Sequence, residues 1–352
     1  MKLSKKQNDI VTTNERRVVV VAAAASGKTR VMTERVKYLL EEGADPTKIV
    51  FITYTNAAAA EIRERVGNPP GLFIGTVHAY ANYLLISAGY NTFSLLDEEK
   101  YDELFAMVSE NMDCIQEVEH LLLDEAQDSD AKQMNFLLNE VNPESFMLCG
   151  DHRQCIYRFI GSKPELLINI ARRRDVITYS LNENYRCGAT ILAFAKRLLK
   201  NNGEKYIDDS IAMCGSEGQV TEIPFSYGEV SRYAQIFQTK GSTFIICRSN
   251  AQVAEIEMVL KEKGLSHRVI RKSEFNSNEE LKEALKSDEI KLMTIHASKG
   301  LEADYVIAIG AFYHNTEERC IAYVAATRAK KQLVWINPRS KSQKKSRTHN
   351  WE

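Results

Sequence analysis

The stretch Arg17–Leu40, RVVVVAAAASGKTRVMTERVKYLL, decides how the chain folds. Val18 to Val21 form a β-branched run suited to a strand buried on both faces. Val31, Met32, Val36, Leu39 and Leu40 recur at helical spacing until Gly43 stops them. A strand, a tight turn and a helix are therefore expected, with GKT at the turn. The free backbone NH groups and positive dipole end at such a helix start favour phosphate, with Lys28 reaching outer phosphates and the Thr29 hydroxyl able to ligate magnesium. The match to GxxxxGK[ST] is incomplete. Ala22 stands at the first glycine position, Ala23, Ala24, Ala25 and Ser26 fill the loop, and only Gly27 remains. An alanine held at a left-handed backbone angle costs about 1 kcal/mol, so the loop is expected to be strained or reshaped without losing a phosphate-binding NH. The competing reading is an alanine-rich helix start with a solvated lysine.

Working outward, 352 residues suffice for two ordinary domains, and 44% hydrophobic with 26% charged residues are the fractions of a globular chain, for which disorder is not the default. A net charge of -1 supplies no global basic field, so nucleic acid would have to be held in a local cleft. Seven cysteines, odd in number and without a CxxC pair, argue for a reducing compartment and against a disulfide frame or zinc site. No run is long enough to span a bilayer and no apolar signal core is seen, so no membrane association and a cytoplasmic location are expected. The basic stretch from Arg339 to Arg347, within a tail at 339–352, has no periodicity and reads as a solvated, flexible segment.

Leu3 to Thr12 reads as a short helix with Ser4 as N-cap and Gln7 at the capping-box position. IVFITYT (Ile49 to Thr55) is a buried strand, a helix runs from Asn56 to Val66, and LFIGTVHA (Leu72 to Ala79) is a further strand. Ser87 to Glu117 carries mixed helical pattern and no chemical motif. Leu121 to Leu123 form a strand ending in Asp124 and Glu125, which places both carboxylates at the carboxyl edge of a sheet, where open α/β folds bind ligands. Beside an upstream GKT, such a pair suits one acid on magnesium and the other polarising the attacking water. A strand from Phe146 to Cys149 leads into GDHRQCIYRFIGS, whose Tyr157 and Phe159 could be core or could stack bases beside Arg153 and Arg158. From Val176 strands and helices alternate again, beginning with a strand to Leu181, without a second phosphate loop.

The order of these segments resembles the UvrD/Rep family of superfamily one DNA helicases over nearly the whole sequence. LSKKQ, AAAASGKTR, TYTNAAAAEIRERV, GTVHAYANYLL, LLLDEAQD, LCGDHRQCIYRFIGS, ENYRC, MTIHASKGLEADYV and YVAATRAKKQL are similar to the family's motifs in sequence order. The resemblance implies an α/β fold of two RecA-like parallel-sheet domains, at 1–181 and 182–338, with ATP in the cleft between them. It also implies Gln7 on adenine, Tyr185 stacking on it, the loop from Ala22 through Gly27 to Arg30 around the phosphates, and Glu302 near the ribose. Thr29 and Asp124 would hold Mg2+, and Glu125 would be the general base. Gln154, Arg186 and Arg328 would contact the γ-phosphate, the two arginines as fingers supplied in cis. Single-stranded DNA would meet Tyr54, Thr55, Asn56, His78, Tyr157, Phe159, Arg248, Asn250, His296 and Lys299. Asn56 also suits an N-cap, His78 and His296 a satisfied interior, and Tyr54 a strand core.

Ala23 and Ala25 replace loop glycines usual in the family, Ala57 stands where lysine is common, and Ile160 where arginine is frequent. The long insertions usual in each domain are cut to a short one at about 87–117 and to almost nothing between Phe275 and Ile290. The expected function is ATP hydrolysis stimulated by single-stranded DNA or a single-strand/duplex junction, with 3′ to 5′ translocation and unwinding that is weak or needs a partner protein. The alternatives are an ATP-switched DNA clamp, or a subunit of a nuclease or defence complex. RNA is not excluded by backbone-tracking chemistry.

Overall fold

The computed structural model describes residues 2–98, 100–200, 202–271, 278–310 and 314–337. The tail at 339–352 and Phe275 lie outside the described residues. The chain divides into two compact units that meet between Asn182 and Glu183.

The first unit opens with helix α1 (Lys5–Val11), shorter at both ends than the expected Leu3–Thr12 because Ser4 closes its capping box with Gln7. Strand β1 (Arg17–Ala22) and helix α2 (Lys28–Glu41) follow, then β2 (Ile49–Ile52), α3 (Asn56–Val66), β3 (Phe73–Gly75) and α4 (Val77–Ser87). Helices α5 (Phe93–Asp97) and α6 (Tyr101–Glu110) fill the short insertion. Beyond them come β4 (His120–Leu123), α7 (Ala131–Asn135), β5 (Ser145–Gly150), α8 (Pro164–Ala171) and β6 (Ile177–Leu181). The six strands form one parallel sheet in the order β3-β2-β4-β5-β1-β6. Parallel neighbours need crossover helices, which cover both faces and leave the strands apolar throughout. β1 shows this directly: Val18 and Val20 face a core with Ile10, Val31, Met32 and Ile62, while Val19 faces the opposite core with Tyr80, Leu84, Leu104 and Leu148.

Two expected strands are shorter because threonines cap helices. β2 ends at Ile52, and Thr55 accepts a hydrogen bond from Ala58 N at 3.1 Å to start α3, so Asn56 is the first helical residue and not the cap. β3 ends at Gly75, and Thr76 accepts from Ala79 N at 3.2 Å, which puts His78 on a helix. The strand ending at Leu181 belongs to this first sheet, Leu181 being in register with Ala22.

The second unit starts with a two-stranded parallel pair, β7 (Glu183–Asn184) with β8 (Ile211–Ala212), spanned by α9 (Ala189–Leu199). Then come β9 (Gln219–Ile223), α10 (Tyr227–Phe237), β10 (Thr243–Cys247), α11 (Asn250–Glu262), β11 (His267–Val269), α12 (Asn278–Lys286), β12 (Ile290–Thr294), β13 (Ala303–Ile309), α13 (Thr316–Ala326) and β14 (Ala329–Ile336). Its sheet is also six-stranded and parallel, ordered β11-β12-β10-β13-β14-β9. Helices α10 and α11 bury Val230, Phe237, Val253 and Ile256 against one face. On the other side, α9 and α13 pack on each other and on β14. β11 escapes a reading by periodicity because its three residues, His-Arg-Val, carry almost no apolar signal. Among the described residues, α12 is the only element between β11 and β12. No described helix is long and apolar enough to cross a membrane.

Candidate nucleotide and nucleic-acid sites

The phosphate turn is built on the edge where β1 ends. Ala23 N still donates to Leu181 O at 2.8 Å, and Ser26 N donates to Ala23 O at 3.3 Å to close the turn. Ala22, Ala23 and Ala24 are buried, and Ala25 sits at φ 56°, the left-handed region where a Cβ is costly. Gly27, at φ 82°, is the N-cap of α2, and a Cβ there would lie 2.9 Å from Gln7 Nε2. The first turn of α2, from Lys28 through Thr29 to a half-buried Arg30, therefore presents backbone NH groups that have no acceptor within the helix. Ser26 Oγ is buried with no hydrogen-bond partner, and the buried Lys28 ammonium has Glu125 Oε1 at 3.9 Å. An orphaned hydroxyl and a buried cation at a helix start make a donor set that fits a polyphosphate.

Opposite this turn, β4 delivers the two carboxylates. Asp124 N donates to Ile52 O at 2.9 Å, and Thr29 Oγ1 donates to Asp124 Oδ2 at 2.7 Å. Burial, and then the charge of Glu125, push the Asp124 carboxyl upward against the opposing pull of Thr29 and Lys28. A divalent cation at Asp124 and Thr29 would reverse that penalty, and one carboxylate plus a hydroxyl suits magnesium, which keeps waters and phosphate oxygens as its other ligands. Among the described residues there is no cluster of three or more acidic, His or Cys side chains that could hold a metal by itself. Glu125 has φ 55°, a left-handed angle at a non-glycine residue, and its NH donates to Asp124 Oδ1 at 2.9 Å. Such backbone strain survives only where the surroundings impose it.

A residue that sequence reasoning missed links these groups. Gln127 is fully buried; its Nε2 donates to Glu125 Oε2 and its Oε1 accepts from Asp151 N at 2.8 Å. Gln154, also buried, donates from Nε2 to Asp151 Oδ2 at 2.7 Å, and Arg153 Nε donates to Asp151 Oδ1 at 2.7 Å. Burial alone would raise the Asp151 carboxyl, but Arg153, Lys28 and His152 hold it below its ordinary range. The available signal was Gln127's place in LLLDEAQD. Gln7 is likewise committed: its Oε1 accepts from Ser4 N at 3.0 Å and its Nε2 donates to Ser26 O at 3.0 Å. It thereby ties α1 to the phosphate turn.

On the same unit, Tyr54 and Tyr157 stack with centroids 5.1 Å apart at 20°, and Phe159 approaches Tyr157 at 6.3 Å while remaining 69% exposed. His78 is half-buried, its ring 4.6 Å from Tyr101 and 5.4 Å from Phe105. A cavity of about 650 Å³ runs from Asp124 and Glu125 past Tyr54 and His78 to Tyr101 and Ile160. Directly after Tyr54, Thr55 caps α3 and Asn56 is its first residue.

Within the second unit, Arg186 donates from Nε to Glu302 Oε2 at 2.6 Å and from Nη1 to Thr327 O at 3.0 Å. Lys330 Nζ lies 2.6 Å from Glu302 Oε1. Burial would raise the Glu302 carboxyl, yet Arg186 and Lys330 hold it down to about 2. Arg328 is buried and donates to Val324 O at 2.8 Å, to Leu301 O at 3.1 Å and to Thr327 Oγ1 at 3.2 Å. Tyr185 donates to Glu183 Oε2 at 2.8 Å. Arg248 makes a bidentate pair with Glu318 at 2.7 and 3.2 Å, and Asn250 is exposed in the first turn of α11. His296 and Lys299 are half-buried in the turn after β12, where Lys299 N donates to His296 O at 3.3 Å.

Residues 3–114 and 99–175 match the family model described as the UvrD/REP helicase N-terminal domain, and residues 179–287 and 284–340 that of the UvrD-like helicase C-terminal domain. DNA helicase II of Escherichia coli K12 is 23% identical over 449 residues, covering 98% of this chain and 61% of that protein. The ATP-dependent DNA helicase PcrA of Bacillus subtilis is 24% identical over 364 residues, 74% of this chain and 49% of its own. Gabija protein GajB of Bacillus cereus VD045 is 24% identical over 295 residues, 68% of this chain and 58% of its own. The chain thus spans about half to three fifths of the length of these relatives.

Proposed function

The chain belongs to the UvrD/Rep helicase family, and from that premise we propose that it is an ATP-hydrolysing translocase on single-stranded DNA. One observation carries the reading: Thr29, from the phosphate turn, and Asp124, from the end of β4, meet at 2.7 Å with Lys28 and Glu125 alongside. A phosphate-binding helix start and a carboxylate pair have then been brought to one point, which is the arrangement phosphoryl transfer requires.

In this reading the turn from Ala22 to Arg30 binds the phosphates, and Thr29 and Asp124 hold Mg2+, which when bound neutralises charge on the β- and γ-phosphates. Glu125 orients and deprotonates the attacking water, held in place by Gln127. Gln154, Arg186 and Arg328 are assigned to the γ-phosphate, and Gln7, Tyr185 and Glu302 to the nucleoside. Arg186 and Arg328 now donate to carbonyl and carboxylate oxygens of their own unit, so the finger role includes an exchange of partners. Tyr54, Tyr157 and Phe159 are assigned to stacking on bases, and Thr55, Asn56, His78, Arg248, Asn250, His296 and Lys299 to further contacts along the strand.

The polarity we propose is 3′ to 5′, with unwinding weak alone or dependent on a protein partner, because the segments between α4 and β4 and between β11 and β12 are short. Phosphate release measured with and without single-stranded DNA is the test: stimulation by the strand supports the motor, and equal, negligible rates overturn it. Strand displacement from 3′- and 5′-overhang duplexes then reads polarity.

A second reading is an ATP-switched clamp acting as a subunit of a larger complex. It draws on the similarity to Gabija protein GajB as well as to DNA helicases, with only part of either relative's length spanned. A Glu125→Gln variant separates the two: it stops a motor but leaves a clamp that still closes on ATP and DNA.

A further inference from the structure

We propose that Tyr101, on the short insertion, is a stacking residue for a base of single-stranded nucleic acid, its ring set by packing against His78. The proposal rests on the single-strand-binding reading above. Tyr101 opens α6, a helix whose Leu104, Phe105 and Val108 are buried in the first unit's core, so the ring is carried by a fixed element. It remains 38% exposed and lines the cavity that Tyr54 and Asp124 also line.

His78 lines the same cavity but is half-buried, its ring tilted against Tyr101 at 30° and against Phe105 at 40°, and of the three rings Tyr101 is the exposed one. Burial pushes the His78 imidazole toward its neutral form, as suits packing against two aromatic rings. Stacking of a base on an aromatic ring requires such a preorganised, half-exposed ring and no particular hydrogen-bond pattern.

The charges nearby determine which part of a nucleotide is received. Asp102 is paired with Lys132, Glu103 lies 3.7 Å from Lys100, and Asp130 caps α7 by accepting from Gln133 N at 2.9 Å. Asp102 and Glu103 are paired with lysines, but with Asp124, Glu125, Asp128 and Asp130 also lining the cavity its wall is acidic overall and repels phosphate. The contact at Tyr101 is therefore with the uncharged base. Its loss lowers affinity without changing the number of counterions released.

The test uses the full chain and a fluorescein-labelled oligo-dT, with anisotropy titrations at several salt concentrations and thermal melting as a check of folding. Tyr101→Ala is expected to weaken binding by about 5- to 150-fold, the range for one stacked base. The slope of log affinity against log salt stays that of wild type, and Tyr101→Phe restores affinity to within about twofold. Phe93→Ala, an exposed ring on the neighbouring α5, is expected to bind as wild type. In wild type itself, photocrosslinking to a 5-iodouracil-substituted strand is expected to mark the peptide containing Tyr101, which keeps the test independent of how the variant folds. Unchanged or tighter binding by Tyr101→Ala, a shallower salt slope, or crosslinks confined to other peptides overturns the proposal while leaving the motor reading intact. A wild-type chain that binds no single strand overturns both.

Discussion

Thr29 and Asp124, 95 positions apart in the chain, share a hydrogen bond of 2.7 Å, and through it the helix start after β1 is locked to the end of β4. The two strands are not neighbours, since β5 lies between them. The contact therefore exists only because a parallel sheet aligns all its carboxyl ends on one edge. It places the buried Asp124 carboxylate against the Thr29 hydroxyl, the two groups proposed to share a cation.

Gln127 links Glu125 to Asp151, to which Gln154 also donates. Replacing Gln127 with Leu removes the donor to Glu125 and leaves the buried Asp151 NH without its acceptor. We expect a stability loss of about 1–3 kcal/mol from the orphaned group. Turnover should fall about 10- to 100-fold, the scale seen when partners behind reactive ligands are lost. Urea unfolding and steady-state phosphate release measure the two; turnover equal to wild type would remove Gln127 from the site.

Ala25→Gly probes the strain in the phosphate turn. Relief of the left-handed angle at φ 56° contributes about 1 kcal/mol, offset by about 0.4–1 kcal/mol of added freedom in the unfolded chain. The expected outcome is a small net stabilisation, under about 1 kcal/mol, with tighter ATP binding if strain opposes the nucleotide-bound geometry. A melting temperature lower than wild type would contradict it.

Arg248 is held by Glu318 in a bidentate pair that is only partly buried. Glu318→Gln should free the guanidinium at a cost of about 1 kcal/mol or less in stability. If Arg248 then meets phosphate, affinity for single-stranded DNA rises a few-fold at low salt, and the gain fades as salt is raised. Anisotropy at two ionic strengths reads this, and an unchanged affinity would mean that Arg248 does not face the strand.

Glu302 supplies a pH signature. Its folded carboxyl titrates near 2, below the ordinary 4.5, because Arg186 and Lys330 outweigh burial. A depressed carboxyl contributes stability that is fully present above its unfolded value and is lost as pH falls through the folded one. The difference in urea midpoint between wild type and Glu302→Gln should therefore stay constant from pH 7 to about pH 5 and narrow below about pH 4.5. A difference that grows with acid would reverse the sign and the assignment.

The amino-acid sequence by itself determined the α/β class and the order of its longer elements, but not short strands such as β11. Val18–Val21 and the spacing of Val31, Met32 and Val36 are local patterns whose period is set by backbone geometry. Asp124 and Glu125 were legible because they follow a buried strand. Strand lengths were less so: β2 and β3 end early because Thr55 and Thr76 turn to cap helices, a competition between sheet and cap that periodicity cannot weigh. Only the tertiary structure decided which donors are already committed. Gln7 is bound to Ser26, Arg248 to Glu318 and Arg328 to its own helix and loop, and the His78 ring packs on Tyr101. The physical reason is distance along the chain. A side chain's period assigns it to a face, but its partner is chosen by packing between elements tens of residues apart, and that choice determines which groups remain available for nucleotide and strand.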